Sequence, residues 1–205
     1  MGDEPIPPTT FGGGLFLVLS NLAFVPAILK LLHIGETATA INFLGVFLAS
    51  IAYHSARADF FSFTTLEMHQ IIDYLFVWRS LTWALTYIGS DMRSSVGRHR
   101  HLVLYFFFTN ITFIVIITGY QGIWLALVGA AAPIVTTVAL AAMGNEPLFV
   151  RDGWALATLG LSALAGVFFS LPHSVYVWAH GLWHIVAGVV MYTFLLSIWP
   201  RRSKT

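Results

Sequence analysis

Long runs of apolar residues, separated by short polar connections, make up nearly the whole chain. A helix needs about 20 mostly apolar residues to cross a hydrocarbon core about 30 Å thick. The stretches that meet this requirement lie near 11–32, 37–56, 66–89, 101–118, 121–143, 149–170 and 174–199. The pattern therefore predicts an all-α membrane protein with seven transmembrane helices.

The connections between these stretches are too short to hold a separate soluble domain. We expect one seven-helix domain over residues 1–205, with a short N-terminal segment at 1–10 and a short basic tail at 200–205. A composition of 58% hydrophobic and 9% charged residues agrees with a chain that faces lipid. Since the chain has no cysteine, disulfides and thiolate ligands are excluded, and any metal must be held by nitrogen or oxygen.

Positive charge is distributed unequally between alternate connections. Only Arg57 falls on one side of the predicted membrane. The basic residues on the other side are Lys30, Arg93, Arg98, Arg100, Arg151, Arg201, Arg202 and Lys204. Because cytoplasmic loops carry the excess of Lys and Arg, we expect the C-terminus in the cytoplasm and the N-terminus outside the cell.

Several ionisable residues lie inside the predicted spans, where a charge at the helix centre costs about 2.5–3.5 kcal/mol and needs a partner or a function. They are His54, His69, Asp73, Arg79, His180 and His184. The second predicted helix runs outward and the third and seventh run inward. At about 1.5 Å rise per residue, His54, Asp73 and the two histidines of the last span therefore reach a similar depth toward the outer face. This common depth indicates a single site.

Three of the spans each present a polar pair at the i, i+4 spacing of one helix face. The pairs are Ser50 with His54, His69 with Asp73, and His180 with His184. Three neutral imidazoles and an open fourth position are typical of catalytic zinc, which lowers the pKa of a bound water to about 7. We predict that His54, His180 and His184 are the zinc ligands.

The remaining polar side chains are assigned around this zinc. If the protein is an enzyme, Asp73 is the predicted general base or holds the activated water, and Ser50 steadies that water or donates to an oxyanion. His69 is predicted to support the site through a hydrogen bond or to form part of its outer rim. Arg79, about 9 Å deeper than Asp73 by helical rise, either pairs with a polar group in the bundle or contacts an anionic lipid head group.

Other interpretations of the histidines remain open or are excluded by single residues. A structural pair that bonds backbone carbonyls across the bundle is open, and so is haem held by His54 and His180. The H-E-x-x-H arrangement of metalloproteases is not present, because Gly181 follows His180. A retinal pigment is excluded, because the seventh span has no lysine that can form a Schiff base.

Proline and small residues predict irregular and closely packed helices. Pro26 is expected to kink the first span and to free backbone carbonyls that can line a cavity. Small residues such as Ser162 and Gly166 allow close helix approach, within the bundle or between protomers. A homodimer is therefore among the assemblies that we expect.

The Ser-x-x-x-His, Asp and His-x-x-x-His elements at Ser50, His54, Asp73, His180 and His184 together resemble the signature of the CREST superfamily. This superfamily includes alkaline ceramidases, adiponectin-type receptors and the transmembrane protein 8 group. The phrases LSNLAFVPAI, HQIIDYLFVW and YVWAHGLWHIVAGVVMY are most similar to the transmembrane protein 8 group, and the resemblance runs along nearly the whole chain. It implies seven helices, an extracellular N-terminus, a zinc ion on the three histidines and a lipid-accommodating cavity beside it.

Within that group, the short chain resembles the branch that acts in myoblast fusion during myogenesis. The resemblance implies a plasma-membrane protein, present also in the Golgi during trafficking, that promotes cell–cell fusion at the hemifusion stage. The implied partners are membrane lipids, the opposing cell membrane and a second fusion protein, and nucleic acid is not among them. The zinc site leaves a second hypothesis, a zinc-dependent lipid hydrolase of the ceramidase or phospholipase kind.

Overall fold

The computed structural model describes residues 10–88, 90, 95–118, 153–171 and 173–198. All of the regular structure in these ranges is helical, and none of it is β-strand. The all-α prediction is therefore confirmed for the described part of the chain. The predicted span at 121–143, the N-terminal residues 1–9 and the basic tail at 200–205 lie outside it.

We number the described α-helices in chain order. They are α1 (Phe11–Ser20), α2 (Val25–His33), α3 (Thr37–Arg57), α4 (Leu66–Ile88), α5 (Ser95–Ile117), α6 (Gly153–Ser170) and α7 (Tyr176–Ile198). A 3-10 turn at Asn21–Phe24 joins α1 to α2, and another at His173–Val175 precedes α7. The helices α1 and α2 with their 3-10 turn form one apolar segment, Phe11–His33, which we call the first segment.

Four helical segments within the described ranges are long and apolar enough to cross a membrane. They are Phe11–His33, Thr37–Arg57, Ser95–Ile116 and Tyr176–Leu196. These segments correspond to the predicted spans near 11–32, 37–56, 101–118 and 174–199. The chain thus has the helices of a membrane protein.

Two further predicted spans are helical but are not among these four segments. The helix α4 covers residues 66–88 of the predicted span 66–89, and it carries Asp73 and Arg79. The helix α6 contributes the shorter apolar stretch Gly160–Phe169. The total of seven crossings and the orientation of the termini therefore stay predictions.

The chain divides into two compact units. The first consists of Met1–Gln70 with Val150–Thr205, and the second is Ile71–Phe149. In the first unit, α7 packs against α6 and against the first segment, and α3 also packs against the first segment. That both units form one domain stays a prediction.

A tight turn returns the chain from α2 into α3. Gly35 adopts φ +79°, a left-handed conformation that favours glycine, and its N–H donates to the Leu32 carbonyl at 3.1 Å. The next N–H, from Glu36, donates to the Leu31 carbonyl at 2.9 Å. Because the helix ends so sharply, α3 runs back along the first segment, and its last turns lie beside α1.

The first unit has polar residues inside and large apolar residues outside. Asn21, His54 and His184 are at most 1% exposed, whereas Leu29, Ile41 and Trp178, on the first segment, α3 and α7 respectively, are 59–64% exposed. Intramembrane polar residues face the bundle interior, since lipid cannot satisfy their hydrogen bonds. The distribution is that of a helical unit surrounded by lipid.

Candidate metal centre

Three histidine side chains from α3 and α7 come together inside the first unit. The centroids of the His54, His180 and His184 rings lie 4.7–5.0 Å apart. One nitrogen from each ring lies within 4.8 Å of the others. We call these three residues the histidine cluster. His54 and His184 are fully buried and His180 is partly exposed, so the cluster is accessible from the side of His180.

Regular helix geometry places two of these rings side by side. His180 and His184 are one turn apart on the uninterrupted helix α7, so both project from the same face. His54 lies in the last turn of α3, which the Gly35 turn returns alongside the first segment. The sequence predicted both the pair on α7 and His54 from another helix, and the structure brings the three rings together.

The ring nitrogens of the cluster have few hydrogen-bond partners among the described residues. Neither nitrogen of His54 has one, and Nε2 of His180 has none. A buried polar atom without a hydrogen bond lowers the free energy of unfolding by about 1–3 kcal/mol. A bound ligand would satisfy these nitrogens. The neutral imidazole nitrogen is a common metal ligand in proteins. The donor set therefore fits a metal ion, and the cluster can hold one.

The hydroxyl of Ser50 lies against this cluster. Its Oγ is 3.4 Å from Nε2 of His184, and the side chain is buried. Ser50 and His54 are one turn apart on α3, so the same helix face supplies both groups. The structure thus brings Ser50 together with the three histidines, in the neighbourhood that the sequence predicted.

The first segment contributes a residue that sequence reasoning missed. Ser20, the last residue of α1, has its Oγ 2.8 Å from Nδ1 of His184. The available signal was the adjacent polar pair Ser20 and Asn21 within an otherwise apolar run. Spacing alone does not connect that pair to a histidine more than 160 positions away.

Aromatic rings and one arginine surround the partly exposed side of the cluster. Tyr176 stacks on His180, with ring centroids 4.7 Å apart and planes 18° apart. The guanidinium of Arg57 lies 4.3 Å from the centre of the Tyr176 ring, and its Nη1 donates to the Tyr53 hydroxyl at 3.3 Å. Arg57 therefore lies near the partly exposed side of the histidine cluster, although the sequence indicated only its effect on orientation.

His69 contacts residues of the connection between α3 and α4. Its Nε2 is 3.5 Å from Oγ of Ser62, and its ring meets that of Phe63 edge-on at 4.3 Å. The side chain is fully buried. These contacts indicate that His69 stabilises the connection between α3 and α4. That His69 also supports the metal site or forms its outer rim stays a prediction.

Asp73 and Arg79 belong to the second unit. Asp73 is buried on α4, and its predicted place beside the histidines stays a prediction. Arg79 is half-buried, donates through Nε to the hydroxyl of Tyr105 on α5, and lies 5.8 Å from the centre of that ring. Of the two alternatives for Arg79, the structure shows the pairing with a polar group of the bundle.

Comparison with known proteins adds a family but no curated relative. A search of the curated proteins finds no match. Residues 13–185 match the model of a family described as a protein of unknown function (DUF3522), and the match includes Ser20, Ser50 and the whole histidine cluster. Since it covers most of the chain, the protein belongs to the DUF3522 family.

Proposed function

We propose that the histidine cluster binds one zinc ion within the membrane-embedded part of the protein. The observation that carries this proposal is the convergence of three buried imidazoles whose nitrogens lie within 4.8 Å of one another, with both nitrogens of His54 unbonded to described residues. Zinc accepts three histidine ligands and leaves a fourth position open. When bound at such a site, zinc lowers the pKa of a water and polarises a carbonyl oxygen.

Elemental analysis of the purified protein tests the zinc proposal. We expect about one zinc per chain in the wild type and little or none in the His180→Ala/His184→Ala variant, because two of the three ligands are gone. His33→Ala is the matched control, since His33 is an exposed histidine at the end of α2. A wild type without bound metal, or a double variant that keeps its zinc, contradicts the proposal.

We propose further that this protein promotes cell–cell fusion at the plasma membrane, at the hemifusion stage, as in the myomaker branch of the transmembrane protein 8 group. The proposal is supported by the resemblance of the sequence signature and by the apolar outer surface of the first unit. Lipids of its own membrane, the opposing membrane and a second fusion protein are the partners that this role requires. The zinc site then organises the helices or a lipid between them.

A cell-mixing assay tests the fusion proposal. Non-fusing cells that express the wild type are mixed with fusion-competent cells, and multinucleated cells are counted. We expect an increase with the wild type and with His33→Ala, and a smaller one with His180→Ala/His184→Ala at equal surface expression. No increase with the wild type contradicts the fusion proposal and leaves the zinc proposal unaffected.

A zinc-dependent lipid hydrolase is the second candidate, and the position of Ser50 favours it. The Ser50 hydroxyl lies beside the cluster and can hold a water or donate to the oxygen of a carbonyl as negative charge develops on it. Asp73, by the sequence prediction, takes the proton from the water. Water then cleaves an amide or ester bond of a ceramide or phospholipid, and a fatty acid is released.

Fatty-acid release in detergent separates this candidate from the fusion proposal. We expect Ser50→Ala to lower release about 100-fold or more while the zinc content stays at the wild-type level. His180→Ala should lower both quantities, because it removes a ligand. A wild type that releases no fatty acid from ceramides or phospholipids contradicts the hydrolase proposal alone.

A further inference from the structure

The first segment is irregular where it passes the histidine cluster. The helix α1 ends at Ser20, and the backbone N–H of Asn21 bonds to the carbonyls of Val18 and Leu19 as the chain tightens into a 3-10 turn. The Leu17 carbonyl accepts from side chains instead. Ser20 Oγ donates to it at 2.8 Å, and Asn21 Nδ2 donates to it at 2.9 Å.

The hydroxyl of Ser20 has a single proton and two close partners. A carbonyl oxygen can only accept, so the bond to the Leu17 carbonyl uses that proton. The same Oγ is 2.8 Å from Nδ1 of His184, and both side chains are buried. When Ser20 donates its proton to the Leu17 carbonyl, it accepts in this second bond, and Nδ1 of His184 then carries the hydrogen.

A neutral imidazole with its hydrogen on Nδ1 has its lone pair on Nε2. Nε2 of His184 is the nitrogen that lies 3.4 Å from Ser50, on the side of the cluster. We propose that Ser20 is a positioning residue that fixes the ring and the tautomer of His184, so that the Nε2 lone pair is available to the metal. This inference rests on the proposed zinc binding.

Two glycines of α7 allow the first segment to come this close. Gly181 and Gly188 lie one turn before and one turn after His184 on nearly the same face. A Cβ on Gly181 would lie 2.2 Å from the Phe16 ring, and one on Gly188 would lie 2.4 Å from the Ala23 carbonyl oxygen. Because both residues are glycine, the first segment can pack close enough to α7 for Ser20 to lie within hydrogen-bond distance of His184.

Zinc affinity, measured by competition with a chelator in detergent, tests the role of Ser20. Loss of a hydrogen-bond partner behind a metal-bound histidine typically lowers metal affinity about 10-fold to 100-fold, and we expect that decrease for Ser20→Ala. Ser20→Thr keeps the hydroxyl and should restore the affinity. Ser162→Ala is the matched control, because it removes a serine hydroxyl that donates to the Thr158 carbonyl within α6. We expect its zinc affinity to equal that of the wild type.

The two proposals fail in different ways in this experiment. A wild type that binds zinc, together with a Ser20→Ala variant of equal affinity, overturns the role of Ser20 and leaves the zinc site standing. A wild type that binds no zinc overturns the zinc site itself.

The tautomer can be measured directly, in metal-free protein labelled with ¹⁵N-histidine. The ring signals of His184 are identified by their absence in His184→Ala. We expect a protonated Nδ1 and an unprotonated Nε2 in the wild type and in Ser20→Thr, and a population with the hydrogen on Nε2 in Ser20→Ala. A merely structural serine would not move this equilibrium. A wild-type His184 with its hydrogen on Nε2 overturns the inference whether or not zinc binds.

Discussion

His54 and His101 are both buried histidines, and the hydrogen bonding around the proposed ligand His54 differs from that around His101. Nδ1 of His101, in the second unit, lies 3.1 Å from Oγ1 of Thr86 and is packed among Trp83 and Tyr87. Neither nitrogen of His54 has a partner among the described residues. Burial of His54 therefore costs free energy that no hydrogen bond to a described residue offsets.

This difference predicts the effect of an apolar replacement of similar size. We expect His54→Leu to leave the stability of the metal-free protein unchanged or to raise it by about 1–3 kcal/mol, since an unsatisfied polar group is removed. Added zinc should stabilise the wild type, by about 2.7 kcal/mol at 100 times the dissociation constant, and should not stabilise the variant. Thermal unfolding in detergent with and without zinc measures both effects.

His101→Leu is the control for this prediction. It leaves the Thr86 hydroxyl without its histidine partner, so we expect it to lower the stability of the metal-free protein and to keep the stabilisation by zinc. If His54→Leu lowers the metal-free stability as much as His101→Leu does, His54 is a structural residue and the ligand assignment is wrong.

The histidine cluster could be predicted from the sequence, but the residues that contact its histidines, Ser20 and Tyr176, could not. Helical periodicity determines which residues share a face, so the spacing of His180 and His184 and the depth of His54 predict that they meet. The bond from His184 to Ser20 depends on a break in α1, and the stack of Arg57 on Tyr176 depends on how two helices pack. Periodicity contains neither kind of information.

At the scale of helices, the close approach of α7 and the first segment depends on small residues at the contact. We expect Gly188→Ala to destabilise the protein by about 1–3 kcal/mol, because its Cβ would meet the carbonyl of Ala23 and the backbone would have to move. Gly181→Ala should cost less, since the Phe16 ring can rotate away. Unfolding in detergent measures both.

Gly166→Ala is the matched control on α6, because no atom lies within 4 Å of the added Cβ, and its stability should be that of the wild type or slightly higher. The movement of the first segment in Gly188→Ala should also lower the zinc affinity, since Ser20 moves with it. A Gly188→Ala variant that matches Gly166→Ala in both measurements contradicts the close contact.

The apolar pattern predicted where the described helices lie, but not their internal irregularity. Pro26 predicted a kink in the first span, and the structure has a 3-10 turn at Asn21–Phe24 just before it. Proline has no N–H to donate to the Leu22 carbonyl, and the N–H of Val25 bonds to that carbonyl instead. The break therefore begins several residues before the proline that accompanies it.

At the scale of the whole molecule, the absence of cysteine from the sequence makes the predicted orientation directly testable. His33 and Ser62 are exposed and lie beyond opposite ends of α3, one of the candidate spans. On intact cells, we expect a membrane-impermeant maleimide to label Ser62→Cys and to label His33→Cys only after permeabilisation. The reverse pattern contradicts the orientation derived from the distribution of positive charge.

The wild type, which has no thiol, provides the background for this labelling. A double variant with both cysteines should be labelled at one position before permeabilisation and at both positions after it. Labelling of both positions on intact cells would mean that α3 does not cross the membrane.

The residues around the histidine cluster come from widely separated parts of the chain: Ser20 from the first segment, His54 from α3, and His180 and His184 from α7. A ribosome releases these helices in order, so His54 enters the membrane more than one hundred residues before His180 and His184 are synthesised. A nascent chain that stops short of α7 offers only one of the three imidazoles. The proposed zinc binding therefore requires that α7 has been inserted, and in a cell that withholds zinc we expect fully inserted chains with an empty histidine cluster.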